Sequence, residues 1–195
     1  MTKPVYGLIL AGGESRRMGH DKALLNHDGQ SQLSHVAKLL ESITERVFVS
    51  TRREQHGEPE RSRFEQIVDA YDGIGPVAGI LSAMDAHPGA SWLIVACDLA
   101  NIDKPTLRYL LENCSMKQPF TAFKSSYDEL PEPLCAFYLN GSDAIIRQFV
   151  NDGIVCPRKI LIRSDTKLLE QPDPAALDNI NTPDDLERSI LEAAL

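Results

Sequence analysis

The 195-residue chain has only four cysteines, and they lie far apart along the sequence. Without a C-x-x-C pair or closely spaced histidines, zinc binding and a disulfide scaffold are excluded, and reduced thiols in a cytoplasm are favoured. Apolar runs of about 18 residues are also missing, so no membrane span is predicted. No charged region followed by a small-residue cleavage site occurs near Met1. We therefore expect a cytoplasmic protein without a signal peptide.

Basic residues are too few for a broad anion-binding surface. The chain has 20 Lys and Arg against 28 Asp and Glu, which gives a formal net charge of −8. Nucleic-acid and anionic-membrane surfaces both need a basic excess, so neither partner is expected. A phosphate pocket is compatible with this charge, because it needs only a few cations placed locally.

The composition is that of an ordinary globular protein. Hydrophobic residues make up 43% of the chain and charged residues 25%, which excludes disordered and fibrous classes. No internal repeat or linker divides the sequence. We expect residues 1–195 to form a single domain with one large core.

Strand-like and helix-like stretches alternate along the whole chain. Residues 92–97 carry no charge and are apolar on both faces, as in a parallel strand inside an α/β sheet. The alternation predicts a three-layer α/β domain with a mostly parallel sheet. The charge-dense residues 52–63 are predicted to form an exposed, mobile loop. We predict strands over 5–10, 46–50, 67–68, 92–97, 120–123 and 134–139, and helices over 33–43, 77–84, 104–113, 141–151 and 182–194.

The first predicted strand runs into a glycine-rich stretch followed by cations. Gly12 and Gly13 are adjacent, and Arg16, Arg17 and Lys22 follow within ten residues. Glycines allow backbone N–H groups to approach an anion closely, and Arg or Lys balances its charge. This order of features indicates binding of a nucleoside triphosphate.

Two common nucleotide motifs are excluded in this stretch. The Walker pattern needs Gly-Lys followed by Ser or Thr, and the chain has no such sequence. The dinucleotide fingerprint G-x-G-x-x-G does not match either, because the glycines here are Gly12, Gly13 and Gly19. The stretch is therefore predicted to be an open loop around a triphosphate.

Polar features follow three of the predicted strands. Gly12 and Gly13 follow the first strand, Ser50-Thr51-Arg52 lie at the end of the second, and Asp98 follows the strand over 92–97. Ligands of open α/β sheets bind at the carboxyl ends of the strands. We expect these residues to converge at one edge, although Asp98 is also suited to capping a helix.

Residues 10–22 read Leu-Ala-Gly-Gly-x-Ser-x-Arg-Met-Gly-x-Asp-Lys and resemble the signature of the MobA-type nucleotidyltransferases, which attach a nucleotide to molybdopterin. Further segments are similar to this family: residues 75–79, 96–99, 131–136 and 179–186. The resemblance therefore covers nearly the whole chain, and it implies a Rossmann-like nucleotidyltransferase fold.

The resemblance also implies roles for individual residues. Asp98 would hold Mg²⁺, which prefers one or two carboxylates together with phosphate oxygens. Ser50 stands where the family often has asparagine, and Ala100 where it usually has proline, so the base is left open. Asp72 is an alternative to Asp69, and Asn179 and Asn181 either close a loop or line the substrate groove. The implied set is Leu10, Ala11, Gly12, Gly13, Lys22, Ser50, Asp69 and Asp98 for nucleotide binding, with Arg16, Lys22 and Asp98 catalytic.

The reaction implied by the resemblance is transfer of GMP from GTP to the phosphate of molybdopterin, with release of pyrophosphate. GTP and molybdopterin would be the substrates, and other molybdenum cofactor biosynthesis proteins the partners. Three alternatives stay open: a cytidylyltransferase, a sugar-phosphate nucleotidyltransferase of the same fold, and a non-catalytic nucleotide-binding regulator.

Overall fold

The computed structural model describes residues 3–12, 23, 26–27 and 30–178. Several predicted features lie outside these residues, and their roles stay predictions. They are Gly13, Arg16, Arg17, Lys22, Asn179, Asn181 and the helix over 182–194.

A seven-stranded sheet forms the centre of the described fold, and a two-stranded antiparallel pair precedes the first helix. The strands in these residues are β1 (Val5–Leu10), β2 (Asn26–His27), β3 (Gln30–Ser31), β4 (Arg46–Thr51), β5 (Glu65–Val68), β6 (Ser91–Ala96), β7 (Phe120–Lys124), β8 (Pro131–Tyr138) and β9 (Thr166–Leu169). The order in the large sheet is β5-β4-β1-β6-β8-β7-β9. Strands β5, β4, β1 and β6 are parallel neighbours, and β8 runs antiparallel to both β6 and β7. The carboxyl ends of the four parallel strands β5, β4, β1 and β6 therefore lie at one edge of the sheet.

Each face of the sheet is covered by helices, which makes three layers. The described helices of at least six residues are α1 (Gln32–Glu41), α2 (Pro76–Ala86), α3 (Lys104–Glu112), α4 (Asp143–Asn151) and α5 (Pro157–Ile162). Local sequence signals start them: Ser31 caps α1, Asp103 caps α3, and Pro76 occupies the first turn of α2. The predicted α/β class with a mostly parallel sheet is confirmed.

Two apolar cores lie on opposite faces of the sheet. Ile9, Val49 and Val95 face one core, which α1 and α3 cover, while their neighbours Leu8, Phe48, Ile94 face the other. Successive side chains of a strand point to opposite faces, so a strand that is buried on both faces must be apolar throughout. Strand β6 is buried at every position, and all of its residues after Ser91 are accordingly apolar.

The strand and helix predictions that fall on described residues are confirmed, with ends that shift by a few residues. Strand β8 begins earlier than expected, at Pro131 rather than at residue 134. Helix α5 and strand β9 were not predicted; both are short, and β9 lies at the edge of the sheet. Within the described residues, no helix is long and apolar enough to cross a bilayer.

The segment over 52–63 is exposed at most of its positions, as predicted, but Arg61 is an exception. The segment contains two short 3₁₀ turns, and Arg61 within it is 0% exposed. The Arg61 guanidinium donates a 2.9 Å hydrogen bond to the carbonyl oxygen of Ala11 and pairs with Glu58 at 3.2 Å. A buried charge is tolerated when it is paired and hydrogen-bonded. Some of the charged residues of this segment therefore form ion pairs next to the sheet edge, and the others are solvated.

Glu60 should make the protein sensitive to acid. Hydrogen bonds from Ser31 and Ser34, with a smaller contribution from Arg63, lower the pKa of Glu60 from its usual 4.5 to about 2. A lowered pKa stabilises the fold fully above its unfolded value, and this stabilisation is lost as the pH falls through the folded value. We expect Glu60→Gln to cost about 2 kcal/mol at neutral pH. Urea unfolding should show this difference closing between pH 4.5 and about 2; a difference independent of pH would contradict the assignment.

Candidate functional site

The carboxyl ends of β1, β4, β5 and β6 are joined by backbone hydrogen bonds. The amide of Ala11 donates to the carbonyl of Ser50 at 3.3 Å, and the amide of Cys97 donates to the carbonyl of Leu10 at 3.3 Å. On the other side, the amide of Asp69 donates to the carbonyl of Thr51 at 2.8 Å. The predicted convergence of these strand ends at one edge is therefore confirmed.

Ser50 and Asp69 form a hydrogen-bonded pair at this edge. The Ser50 hydroxyl, on a residue that is 2% exposed, donates to Asp69 Oδ1 at 2.7 Å. Burial raises the pKa of the Asp69 carboxyl, and the Ser50 hydrogen bond and the charge of Arg52 oppose this rise. The pair thus holds a half-buried carboxylate in one orientation.

Gly12 brings the backbone close to this carboxylate. A Cβ atom at Gly12 would lie 3.6 Å from Asp69 Oδ2 and 3.6 Å from Arg52 Cγ, which is ordinary van der Waals contact. The second oxygen of Asp69 therefore faces the chain that leaves β1. Arg52 supplies positive charge beside both residues.

Gly79 of α2 packs directly under Ser50. A Cβ atom there would lie 2.1 Å from Ser50 Oγ, 3.0 Å from Ser50 Cβ and 3.1 Å from Leu10 Cδ2. The absence of a side chain at this position allows the helix to approach the ends of β1 and β4. Gly79 is thus a residue on which the position of Ser50 depends.

Gly79→Ala should destabilise the protein even though alanine is the better helix former. The new methyl group has to displace the Ser50 hydroxyl from Asp69, and we expect a loss of about 1–3 kcal/mol, as in other overpacked cores. Urea unfolding measures this loss. Gly89→Ala is the matched control, because a Cβ at Gly89 meets nothing within 4 Å. A more stable Gly79→Ala variant would show that the position has spare room.

The loop that follows β5 is held by side chains from two helices. Ser82 of α2 accepts a 2.8 Å hydrogen bond from the Ala70 amide. Arg147 of α4 donates to the Tyr71 hydroxyl at 2.9 Å and forms an ion pair with Asp85. The loop ends at Gly75, whose φ of 58° suits glycine, immediately before α2 begins. These contacts fix the backbone that follows Asp69.

Asp98 lies in the turn directly after β6, where it was predicted. It is half-buried, and its neighbour Leu99 accepts a 2.9 Å hydrogen bond from the amide group of Gln32 at the start of α1. The described residues contain no group of three or more His, Cys, Asp or Glu side chains that would form a complete metal site. A single carboxylate at this position matches Mg²⁺, which takes its remaining ligands from phosphate and water.

The structure brings together the predicted site residues that it describes. Leu10, Ala11 and Gly12 leave β1 between Ser50 on one side and the turn of Asp98 on the other. Asp69 stands beside Gly12 through its Oδ2 atom, whereas no contact of Asp72 with this group is seen. The sequence reasoning placed Arg52 at this edge but missed Arg61 and Gly79. Only Gly79 carried a usable signal, because it belongs to the segment over 75–79 that resembles the nucleotidyltransferases.

A mostly parallel sheet whose edge carries a glycine backbone, the Ser50–Asp69 pair and the carboxylate of Asp98 is the arrangement expected of an α/β protein of the nucleotidyltransferase class. The family model of the MobA-like NTP transferase domain matches residues 7–164. The chain therefore belongs to the MobA-like NTP transferase family.

Relatives in sequence carry related names. The chain is 33% identical over 186 residues to the molybdenum cofactor guanylyltransferase of Pseudomonas fluorescens, covering 92% of this chain and 90% of the relative. It is 37% identical over 182 residues to the molybdenum cofactor biosynthesis bifunctional protein of a Synechocystis strain. That alignment covers 93% of this chain and 52% of the relative, so the chain spans about half the length of the bifunctional protein.

Solved structures share the fold. The molybdopterin-guanine dinucleotide biosynthesis protein A of Archaeoglobus fulgidus superposes with a TM-score of 0.80 at 25% identity, covering 97% of this chain and 98% of that chain. A nucleotidyl transferase from a Methanothermobacter species has a TM-score of 0.75 at 17% identity, covering 97% of this chain and 99% of its own. The predicted Rossmann-like nucleotidyltransferase fold is confirmed.

Proposed function

We propose that this protein transfers GMP from GTP to the phosphate of molybdopterin, with release of pyrophosphate, in molybdenum cofactor biosynthesis. The observation that carries this proposal is the match to a molybdenum cofactor guanylyltransferase over 92% of the chain, within the MobA-like family. The site at the sheet edge supplies the groups that such a reaction needs. We place the reaction in the cytoplasm, with other proteins of the same biosynthesis as partners.

The nucleotide is held first by the backbone that leaves β1. Leu10, Ala11, Gly12 and Gly13 hold the base and the phosphates through main-chain groups, as glycine-rich loops do at strand ends. Arg16 and Lys22 neutralise the phosphates. The Ala11 peptide is fixed by its own N–H bond to Ser50 and by Arg61 at its carbonyl. A fixed peptide presents its neighbours to the nucleotide without a further ordering cost.

Asp69 reads the base, and Ser50 orients it. An ionised carboxylate accepts hydrogen bonds and cannot donate them. The edge of guanine offers it two adjacent N–H groups. Cytosine offers one N–H group beside an acceptor nitrogen, which a carboxylate repels. The hydroxyl of Ser50 donates to Asp69 Oδ1 at 2.7 Å, so Ser50 acts on the nucleotide through Asp69. This arrangement favours GTP over CTP.

Asp98 holds the magnesium ion that accompanies the triphosphate. When bound, Mg²⁺ acts as a Lewis acid and template for the phosphate oxygens. The carboxylate of Asp98 fits this role because it directly follows the buried central strand β6, at the edge where the phosphates are proposed to bind. Arg16 and Lys22 balance the charge of the departing pyrophosphate.

The transfer is a substitution at the α-phosphorus of GTP. A phosphate oxygen of molybdopterin forms the new P–O bond, and the bond to the bridging oxygen breaks, so that pyrophosphate leaves with its electron pair. The attacking oxygen is already an anion, and no side chain has to remove a proton. The protein therefore aligns two polyanions and compensates their charge.

Pyrophosphate release from GTP, Mg²⁺ and molybdopterin tests the proposal. We expect release with GTP and at least tenfold less with CTP. Preferential release with CTP would assign a cytidylyltransferase instead. If no triphosphate supports release although GTP binds, the protein is a nucleotide-binding regulator and the proposed reaction is wrong.

A further inference from the structure

Two adjacent residues of the segment over 58–63 contact both ends of the chain between β1 and α1. Arg61 donates to the carbonyl oxygen of Ala11, one residue after β1 ends. Glu60 accepts hydrogen bonds from the hydroxyls of Ser31 and Ser34, at the start of α1. The 20 or so residues between these points include the predicted phosphate-binding positions. The same dipeptide thus contacts the chain where it enters and where it leaves this stretch.

We propose that Glu60 and Arg61 form a brace that positions the nucleotide-binding backbone at Ala11 and Gly12 relative to the start of α1. The proposal rests on the proposed function, since it assumes that this edge binds a guanine nucleotide. Glu60 and Arg61 touch no substrate and are positioning residues.

Burial and charge support the role of Arg61. Its side chain is 1% exposed although it carries a positive charge, and Glu58 balances that charge at 3.2 Å. A carbonyl bonded to a charged donor inside the protein is held more firmly than one bonded to water. The contact joins residues 50 positions apart, so it fixes the Ala11 peptide to a separate part of the fold. An apolar side chain would fill this space without that hydrogen bond.

The contacts of Glu60 complete the brace at α1. Ser34 Oγ donates to Glu60 Oε1 at 2.7 Å, and Ser31 Oγ donates to the same oxygen. The backbone amide of Glu60 donates to Glu58 at 3.0 Å, and so does that of Arg61. Glu58 therefore orients both members of the brace. Helix α1 is also bound to the turn of Asp98 through Gln32, which ties its start to the other side of the site.

The energetic consequence falls on nucleotide binding rather than on the transfer step. A peptide that is already fixed before the ligand binds adds no ordering cost to binding, so the contacts at Ala11 should raise the affinity for the nucleotide. The bound complex of a brace variant keeps the same reacting groups, so its rate at saturating nucleotide stays the same. A general loss of folded protein would instead lower activity without changing the dissociation constant of the folded fraction.

The test is titration of GTP with Mg²⁺ into the full-length protein, followed by calorimetry, for Arg61→Gln, Glu60→Gln and Ser34→Ala. Each titration runs well below the melting temperature of its variant. We expect each of Arg61→Gln and Glu60→Gln to raise the Kd for GTP about tenfold, equivalent to about 1.4 kcal/mol. The kcat of transfer should change less than twofold.

Matched controls make the same substitutions at exposed sites. Arg53, changed in Arg53→Gln, lies in the longer charged segment over 52–63, away from the brace. Glu65, changed in Glu65→Gln, lies at the amino end of β5, opposite to the site, where it pairs with Arg46. Both should leave the Kd within twofold of that of the wild-type protein. If Arg61→Gln does not fold, Ser34→Ala and Glu60→Gln still test the other end of the brace.

The outcomes separate the brace from the proposed function. If the wild-type protein binds no GTP, the proposed function fails and the brace fails with it. If the wild-type protein binds GTP and the folded brace variants bind it equally well, the brace is overturned and the proposed function stands. If kcat falls while the Kd is unchanged, the two residues act on the transfer step and the positioning role is wrong.

Discussion

Asp98→Ala is expected to lower the rate of GMP transfer by about 10²–10³ while the protein stays folded. Removing one preorganised group that compensates transition-state charge typically has an effect of this size. Asp98 lies after β6 in a half-buried turn whose neighbours are held by backbone contacts. The substitution removes a carboxylate and changes no apolar core position, so we expect the variant to fold normally.

The Asp98→Asn variant separates charge from shape. Asparagine has nearly the same size but no charge, and we expect it to be as inactive as Asp98→Ala. Asp152→Asn, at the exposed end of α4, is the matched control and should keep full activity. Pyrophosphate release over a range of Mg²⁺ concentrations provides the measurement. Turnover within tenfold of wild type in either Asp98 variant would remove this residue from the metal site.

Lys22→Ala is the second substitution with a large expected effect, again about 10²–10³ in rate. The ammonium group is proposed to balance charge on the phosphates of GTP and on the departing pyrophosphate. Because this charge grows as the bond breaks, the loss should appear in kcat as well as in nucleotide affinity. Lys22→Arg keeps the charge and should recover part of the rate.

Lys117→Ala is the control for this experiment. Lys117 is exposed and precedes β7, at the end of the sheet away from the site. Its loss should leave both kcat and the Kd for GTP unchanged. An equal effect of the two substitutions would mean that net charge, rather than a specific phosphate contact, determines activity. Full activity of Lys22→Ala would contradict the assignment directly.

Much of the fold could be predicted because its signals are local. The alternation of apolar strands with helical periodicity predicted the α/β class and the longer strands and helices that the structure shows. In the structure, Ser31 and Asp103 cap two of these helices. Short edge elements were harder. Strand β9 has four residues and helix α5 has six, too few for hydrophobic periodicity to identify them.

The site was predictable in part for a related reason. Strand ends can be read from the sequence, and parallel strands place their carboxyl ends at one edge. Asp98, Ser50 and the glycines after β1 could therefore be grouped before any contact was known. The contact between Ser50 and Asp69 could not, because it depends on how β4 and β5 pair.

Arg61 shows the limit of reasoning from composition. A segment with as many charges as residues 52–63 normally lies in solvent, and the exposed-loop prediction followed from that. In the folded protein Arg61 is completely buried, because Glu58 and the Ala11 carbonyl replace its water. The carbonyl group that Arg61 contacts belongs to a residue 50 positions earlier in the chain. The pattern of side chains along the sequence does not indicate such a backbone partner.

The amino-acid sequence was sufficient for the fold class, the edge of the sheet that carries the site, and the resemblance to the MobA-type nucleotidyltransferases. These follow from local periodicity, strand ends and motif residues, which neighbours in the chain determine. The packing of Gly79 under Ser50, the orientation of Asp69 and the burial of Arg61 emerged in the folded protein. Each of these depends on distances between segments that are far apart in the chain, and such distances are set when the sheet and its helices pack together.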